Sequence, residues 1–197
     1  MKILAFVDSH GDRKFLNEVI KKSKKADIVV CGGDITWFGK DLDKILKKLS
    51  KIDKIILMIQ GNHEEGEGLE KKCRKYKNIR YLHQKSFRMG KKVFFGYGEG
   101  NFAREDKRFE RGVKEFKKTL KKDDEVILIT HGNPYKTKFD LLYDDTHVGN
   151  KSFNRAIKWL KPVLYICGHL HENTYVKDVI GSTLVINPGP DGTMLKV

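Results

Sequence analysis

Cysteine is scarce in this chain, with only Cys31, Cys73 and Cys167 among 197 residues. Three cysteines cannot form the disulfide framework of a small secreted protein, and no two of them form a CxxC metal motif. Cys31 and Cys167 each end an apolar run, which predicts small buried side chains in central strands. The cysteine content therefore argues against both a disulfide scaffold and a thiolate metal site.

Long apolar runs are also absent, and no stretch approaches the length of a membrane span. The segment before Asp8 is too short and ends too polar for a secretory signal peptide, so we expect a cytoplasmic protein with no membrane association. A hydrophobic content of 39% is enough for one packed core at this length. Because no linker or repeat interrupts the chain, we predict a single domain over residues 1–197.

Acidic residues are outnumbered by basic ones, 26 against 40, and the formal net charge is +14. One interpretation is attraction of a polyanion such as nucleic acid. The favoured interpretation is a lysine-rich surface, because the positive residues are scattered and lack the interleaved aromatics of a single-strand binding groove. In either case the charge would help to capture a phosphate ester.

The first third of the chain alternates between apolar runs of strand length and amphipathic segments of helix length. Strands are predicted at Ile3–Val7, Ile28–Cys31 and Ile55–Gln60, with helices at about Asp12–Lys25 and Lys40–Leu49. This βαβαβ order is typical of a mostly parallel sheet with covering helices.

The pattern changes after Asn78. Three short strands separated by tight turns predict an antiparallel meander, at Ile79–Leu82, Ser86–Met89 and Val93–Tyr97. Further helices are predicted at about 106–120 and 151–160, and further strands at Val126–Thr130, Val163–Cys167, Thr174–Lys177, Thr183–Asn187 and Met194–Lys196. This order favours an α/β fold with two sheets and outer helices.

Five short polar clusters follow directly on predicted strands. They are Asp8-Ser9-His10, Gly33-Asp34, Gly61-Asn62-His63, His131-Gly132 and Gly168-His169-Leu170-His171. Carboxylate, amide oxygen and imidazole are ligands that Mn, Fe, Co and Zn accept. Since strand ends are where an open α/β sheet places its site, the five clusters together predict a metal centre.

The ordered set Asp-x-His, Gly-Asp, Gly-Asn-His, His and Gly-His-x-His resembles the calcineurin-like metallophosphoesterase superfamily over nearly the whole chain. The segments at residues 8–11, 131–134 and 185–190 are most similar to its small Icc-type prokaryotic phosphodiesterases. The resemblance implies a two-sheet αββα sandwich that hydrolyses phosphate esters.

The resemblance also implies two divalent metal ions, with manganese favoured and Fe, Ni, Co or Zn as alternatives. The implied ligands of one ion are Asp8, His10, Asp34 and His171, and those of the second are Asp34, Asn62, His131 and His169. Asp34 would therefore bridge the pair. His63 is the implied general acid for the leaving alkoxide, and its alternative role is to orient ligands or to contact phosphate.

The substrate class is narrowed by one departure from the superfamily. Its protein phosphatases follow the Gly-Asp motif with an arginine that grips phosphate, whereas Ile35 follows Asp34 here. We expect a compact phosphodiesterase that acts on a small diester of the cyclic or short nucleotide class, by in-line attack of a metal-bridging hydroxide. The alternatives are a nuclease for short nucleic acid, a phosphomonoesterase and a non-catalytic binding scaffold.

Four side chains carry weaker signals. His147 lies in the long loop after His131 and resembles a His-x-Gly element of the same subgroup, so it is a candidate substrate contact or else an exposed loop histidine. Arg104 is a candidate phosphate contact. Trp37 and Phe38 follow Asp34, and either line a substrate wall or pack in the core. The oligomeric state is open.

Overall fold

The computed structural model describes residues 1–197, which form eleven strands in two sheets and five helices. The strands are β1 (Lys2–Phe6), β2 (Ile28–Cys31), β3 (Ile56–Met58), β4 (Ile79–Tyr81), β5 (Lys85–Met89), β6 (Lys92–Tyr97), β7 (Glu125–Thr130), β8 (Leu164–Ile166), β9 (Lys177–Ile180), β10 (Thr183–Ile186) and β11 (Thr193–Lys196). The helices are α1 (Arg13–Ser23), α2 (Leu42–Leu49), α3 (Leu69–Cys73), α4 (Lys107–Lys118) and α5 (Lys151–Leu160). None of them has the length and apolar content needed to cross a membrane.

The first sheet has the strand order β11-β1-β2-β3-β4. Strands β1 to β4 are parallel, and β11 is antiparallel at the edge beside β1. Parallel neighbours need crossover connections, which α1, α2 and α3 supply. Helix α1 begins at Asp12, whose carboxylate accepts hydrogen bonds from the backbone N–H groups of Lys14 and Phe15.

The second sheet has the order β5-β6-β7-β8-β10-β9. Its four central strands are parallel, and both edge strands, β5 and β9, are antiparallel to their neighbours. Helices α4 and α5 cover its outer face, where Phe109, Val113 and Phe153 share a core with Phe95. Fully burying an aromatic or branched side chain contributes about 1.5–3 kcal/mol, so this face stabilises the sheet substantially.

The two sheets face each other across a shared apolar layer. Alternation along β1 sends Leu4 and Phe6 towards the helices, and Ile3 and Ala5 into the layer that also contains Ile127 of the second sheet. Each sheet is therefore buried on both faces, and the architecture is the αββα sandwich that the resemblance implied.

Two sequence-based predictions of secondary structure are wrong. Strand β4 lies parallel to β3 at the edge of the first sheet, and only β5 and β6 form a hairpin, so the predicted meander does not exist. The strand expected at Thr174–Lys177 is displaced to Lys177–Ile180, because a helical turn at His171–Asn173 and a left-handed Tyr175 (φ 65°) precede it. Helix α3 is additional to the predicted helices.

Candidate dinuclear metal centre

The five polar clusters meet at one edge of the sandwich. Those of the first sheet follow the carboxyl ends of β1, β2 and β3, and those of the second follow β7 and β8. Because the strands within each set are parallel, their carboxyl ends lie together. Among the hydrogen bonds that join the sets, the ring of His131 donates to the carbonyl of Gly32 (2.9 Å), and the N–H of His169 donates to Asp8 (2.9 Å).

The backbone of these clusters is strained. Asp8, His10, Asp34 and His169 all have positive φ, at 53°, 43°, 49° and 73°. Residues other than glycine rarely adopt this region, and such strain persists where the surrounding structure over-determines it, often at functional sites. Gly61 is required for the same packing, since a Cβ at this position would collide with the carboxylate of Asp34.

At one end of the site, Asp8, His10 and His171 approach one another. Their ligand atoms lie within 4.8 Å, and the Nε2 atoms of His10 and His171 are 3.0 Å apart. Nδ1 of His10 donates to the carbonyl of Thr36 (3.0 Å), which leaves its Nε2 with a bare lone pair. Oδ1 of Asp8 is buried and has no hydrogen-bond partner. This convergence of lone pairs fits a cation.

At the other end, Asp34, His131 and His169 form a second group within 4.8 Å. Nε2 of His131 lies 3.1 Å from Oδ2 of Asp34 and 3.2 Å from Oδ1 of Asn62. Since Nδ1 of His131 donates to a carbonyl, its Nε2 presents a lone pair in the neutral ring. Asp34 also groups with His10 and His63, so it faces both ends of the site.

Burial and charge perturb these groups strongly. Burial lowers the pKa of His131, but the adjacent Asp34 carboxylate outweighs it and raises that pKa to about 9. Burial likewise opposes ionisation of Asp34, yet His131 holds its pKa to about 2. Burial raises the pKa of Asp8 to about 6 and lowers that of His169 to about 3. Without a metal ion the site thus retains a proton between Asp34 and His131, which a divalent cation would replace.

His63 lies at the mouth of the site. Its Nε2 is 3.8 Å from Oδ2 of Asp34, and its Nδ1 accepts a hydrogen bond from the backbone N–H of Phe38 (3.2 Å). Because Nδ1 is an acceptor, the proton of the neutral ring is on Nε2, the atom that faces the cluster. The rings of Trp37 and Phe38 lie 4.7 and 4.2 Å from its ring, measured between centroids.

The two aromatic residues after Asp34 do not pack in the core. Trp37 is 54% exposed and Phe38 is 69% exposed, and both border the site. Arg104 stacks over the ring of Tyr135 (4.7 Å) and lines an open pocket of about 360 Å³ beside His169. His147 does not line that pocket, because its Nδ1 is hydrogen bonded to Asp140 (2.8 Å).

Glu64 is a structural residue of the site that sequence reasoning missed. Its buried carboxylate accepts hydrogen bonds from the backbone N–H groups of Asp34 (2.9 Å), Thr36 (2.9 Å) and Gly61 (3.1 Å), and from the Thr36 hydroxyl (2.6 Å). It therefore joins the second and third clusters. The only sequence signal was its place immediately after Asn62-His63, in an acidic stretch typical of a surface loop.

Asp140 has a similar role in the loop after His131, and sequence reasoning missed it too. It is fully buried and accepts hydrogen bonds from the backbone N–H groups of Lys136 (3.0 Å), Thr137 (2.7 Å) and Gly149 (2.9 Å). With the ring of His147 as a further donor, the carboxylate closes this loop on itself.

Residues 1–173 match the family model described as calcineurin-like phosphoesterase. The chain belongs to this family. Its members are metal-dependent phosphoesterases, and the family accounts for the order of the five clusters along the sequence. The groups of carboxylates and imidazoles within 4.8 Å of one another are candidate metal-binding groups in the same place.

Three relatives illustrate the similarity. An uncharacterized protein of Methanocaldococcus jannaschii, MJ1162, is 30% identical over 207 aligned residues, which cover 96% of this chain and 88% of that protein. The crystal structure of TT1561 of Thermus thermophilus has a TM-score of 0.78 at 18% identity, over 95% of this chain and 88% of that one. An archaeal phosphodiesterase has a TM-score of 0.53 at 18% identity, over 96% and 84% of the two chains.

Proposed function

We propose that this protein is a dinuclear metal-dependent phosphodiesterase that hydrolyses a small diester of the cyclic or short nucleotide class. The observation that carries the proposal is a pair of open clefts, one at each end of the cluster. A cleft of about 420 Å³ begins at His10, and the pocket of about 360 Å³ begins at His169. A diester carries two organic groups on phosphorus, so it needs room on both sides, whereas a monoester needs room on one.

The two proposed metal sites share Asp34. One would use Asp8, His10, Asp34 and His171, and the other Asp34, Asn62, His131 and His169. When bound, two divalent ions would supply Lewis acidity towards the phosphoryl oxygens and hydroxide near neutral pH. Manganese is our proposed ion, since oxygen and nitrogen ligands without thiolate suit it, although the same set accepts Fe, Ni, Co and Zn.

The residues of the chain divide the remaining work. His63 is the proposed general acid, because its Nε2 faces the cluster. It would donate from the imidazolium form, in which a proton on Nδ1 replaces the hydrogen bond that this atom accepts from Phe38. Trp37 and Phe38 surround its ring and limit the access of water. Arg104 is a proposed substrate contact in the pocket beside His169. We propose that His147 affects substrate binding only indirectly, by holding the loop that Asp140 closes.

The cellular setting and domain structure are also proposals. The three cysteines are free and buried, which suits a reducing compartment such as the cytoplasm. Residues 1–197 are proposed as one domain, because a single apolar layer of 15 buried residues joins the two sheets.

Initial rates on bis-p-nitrophenyl phosphate and p-nitrophenyl phosphate test the proposal. Metal is removed and Mn²⁺ is then added back. Fast diester and slow monoester turnover, both abolished in Asp34→Asn, is the expected result. The reverse preference would overturn the proposal in favour of a phosphomonoesterase, and silence of the metal-loaded protein on both esters would favour a binding scaffold.

A further inference from the structure

We propose that the cleft beside His10 is a subsite for a second phosphate of the substrate. This inference rests on the proposed phosphodiesterase function and narrows its substrate class. The substrate would be a nucleotide diester with a further phosphate next to the scissile one, such as a phosphorylated dinucleotide or a short strand. A cyclic mononucleotide has one phosphate, which the metal centre would hold, so it would leave this subsite unused.

The cleft beside His10 is strongly basic. Arg13, Lys40, Lys44 and Lys48 line it, and Asp41 is its one acidic residue. Asp41 is already paired with Lys44 at 2.7 Å. The other three cations have no carboxylate within ion-pair distance. A net charge of +3 on a concave surface attracts an anion more strongly than the same charges scattered over the protein.

The cleft also combines an apolar floor with its cations. Its floor is apolar, formed by Leu16 and Ile45, and the cations stand around this floor. Such a surface suits a nucleotide, whose sugar and base are partly apolar and whose phosphate is an anion. Simple solubility would not require cations around a concave apolar floor.

Trp37 links the cleft to the proposed reaction site. Its ring lies 5.1 Å from that of His10 and 4.7 Å from that of His63, and about half of its surface is exposed. A base attached to the scissile phosphate can stack on this ring, as bases stack on aromatic side chains in single-strand binding proteins. Trp37 and the three unpaired cations line the same cleft, so a phosphate next to the scissile one would be within reach of these cations.

The test compares adenylyl-adenosine with its 5′-phosphorylated and 3′-phosphorylated forms, and with bis-p-nitrophenyl phosphate. The terminal phosphate on one of the two ends is expected to raise kcat/KM by about tenfold, as charge-assisted hydrogen bonds do. In the double variant Arg13→Ala/Lys40→Ala this advantage should disappear, while turnover of bis-p-nitrophenyl phosphate stays within about twofold of the wild type.

A second cationic cleft provides a matched control. It is lined by Arg74, Lys77, Arg80 and Lys85, and no proposed metal ligand borders it. Arg74 and Lys85 both bind Glu70, which leaves Lys77 and Arg80 without a carboxylate partner. The double variant Lys77→Ala/Arg80→Ala removes the same two charges, and it should keep the full advantage of the terminal phosphate.

Calorimetric titration of the metal-free protein with the same dinucleotides gives a readout independent of turnover. The phosphorylated form should bind about tenfold more tightly to the wild type and to the Lys77→Ala/Arg80→Ala control, but not to Arg13→Ala/Lys40→Ala. If the affinity stops rising after one added phosphate, the substrate is of the dinucleotide type. If the affinity continues to rise with strand length, the substrate is a short strand. Both results support the subsite.

Two results would overturn the inference. One is equal binding and turnover of phosphorylated and unphosphorylated dinucleotides by the wild type. The other is an advantage that survives in Arg13→Ala/Lys40→Ala. In either case turnover of bis-p-nitrophenyl phosphate would leave the phosphodiesterase proposal standing. Loss of that turnover with the phosphate-dependent binding intact would instead remove the proposed function and retain the anion subsite.

Discussion

The two sheets contribute different chemistry to the site. The first sheet supplies every carboxylate and amide oxygen of the cluster, from Asp8, Asp34 and Asn62, together with one imidazole ligand, His10. The second sheet supplies imidazoles alone, and these are His131, His169 and His171. Neither set alone contains all the proposed ligands of two ions, so the proposed centre would form only when the sheets pack with their carboxyl edges together.

The comparison also explains the charge of the site. The carboxylates of the first sheet are buried, and in the absence of metal their neutralising charge is a proton held by His131 of the second sheet. His10 and His171, from opposite sheets, face each other with ring nitrogens 3.0 Å apart. The buried carboxylates of the first sheet therefore favour a nearby cation, and the imidazoles of the second sheet are placed to share it as proposed ligands.

Among the substitutions in the proposed ligands of the first sheet, Asp34→Asn should have the largest effect on metal content and turnover. Asp34 belongs both to the group with His131 and His169 and to the group with His10 and His63, and the substitution would remove the negative charge that the two proposed ions share. We expect metal content to fall from two ions to fewer than one, and diester turnover to fall by more than about a thousandfold. Elemental analysis and initial rates measure both. Asp123→Asn, on an exposed carboxylate, is the control, and retention of two ions by Asp34→Asn would refute a bridging role.

Glu64→Gln should disturb the proposed ligands of the first sheet without replacing any of them. The carboxylate accepts four hydrogen bonds, and an amide would direct its NH₂ group at donors. The free energy of unfolding should fall by about 3 kcal/mol, with weaker metal binding. Denaturant unfolding measures the effect, and Glu115→Gln at the surface should change stability by less than about 0.5 kcal/mol. An equal effect of the two substitutions would contradict this role of Glu64.

His63→Asn should separate proton donation from metal binding. We expect about a hundredfold loss of kcat for a diester with an alkyl leaving group. The loss should be much smaller for a p-nitrophenyl leaving group, which departs readily without a proton. Rates on both diesters at unchanged metal content provide the measurement. An equal loss on the two substrates would assign His63 to ligand orientation or phosphate contact instead.

The pH dependence of stability should show how much His131, an imidazole of the second sheet, contributes to the stability of the metal-free protein. The pKa of His131 in the folded, metal-free chain is about 9, above its ordinary value of 6.5. Its stabilisation is therefore fully present below pH 6.5 and is lost as the pH rises through 9, on the order of 2 kcal/mol. His169 and His10 have lowered pKa values, so their contributions rise only slightly in this window, by about 0.4 kcal/mol each, as the unfolded rings lose their remaining proton. The raised pKa of Asp8, about 6, lowers stability as the pH rises and the carboxyl group ionises, and most of that change occurs below pH 6, outside this window.

Denaturant unfolding of the chelator-treated protein at pH 6.5 and pH 9 measures this loss. His131→Asn should show little change between the two values. An unchanged or increased stability of the wild type at pH 9 would contradict a proton shared by Asp34 and His131.

Sequence reasoning succeeded where the signal was local. Apolar runs located the strands that precede each cluster, and the polar residues after them identified which side chains meet. It failed for β4, because the alternation of Ile79, Arg80 and Tyr81 is the same whichever sheet the strand joins. It also failed for Glu64, since an acidic residue in an acidic loop is indistinguishable from a surface residue until its burial is known.

Most of the strands and helices, the family and the chemical types at the site could be predicted from the sequence. These depend on residue identity and on periodicity along a few consecutive residues. Other features can be seen only in the tertiary structure. They are the pairing of nitrogen and oxygen atoms in the site, the exposure of Trp37 and Phe38 at its rim, and the cleft beside His10 that Arg13, Lys40 and Lys48 line. Those features arise from contacts between residues far apart in the chain, which exist only once the two sheets have packed against each other.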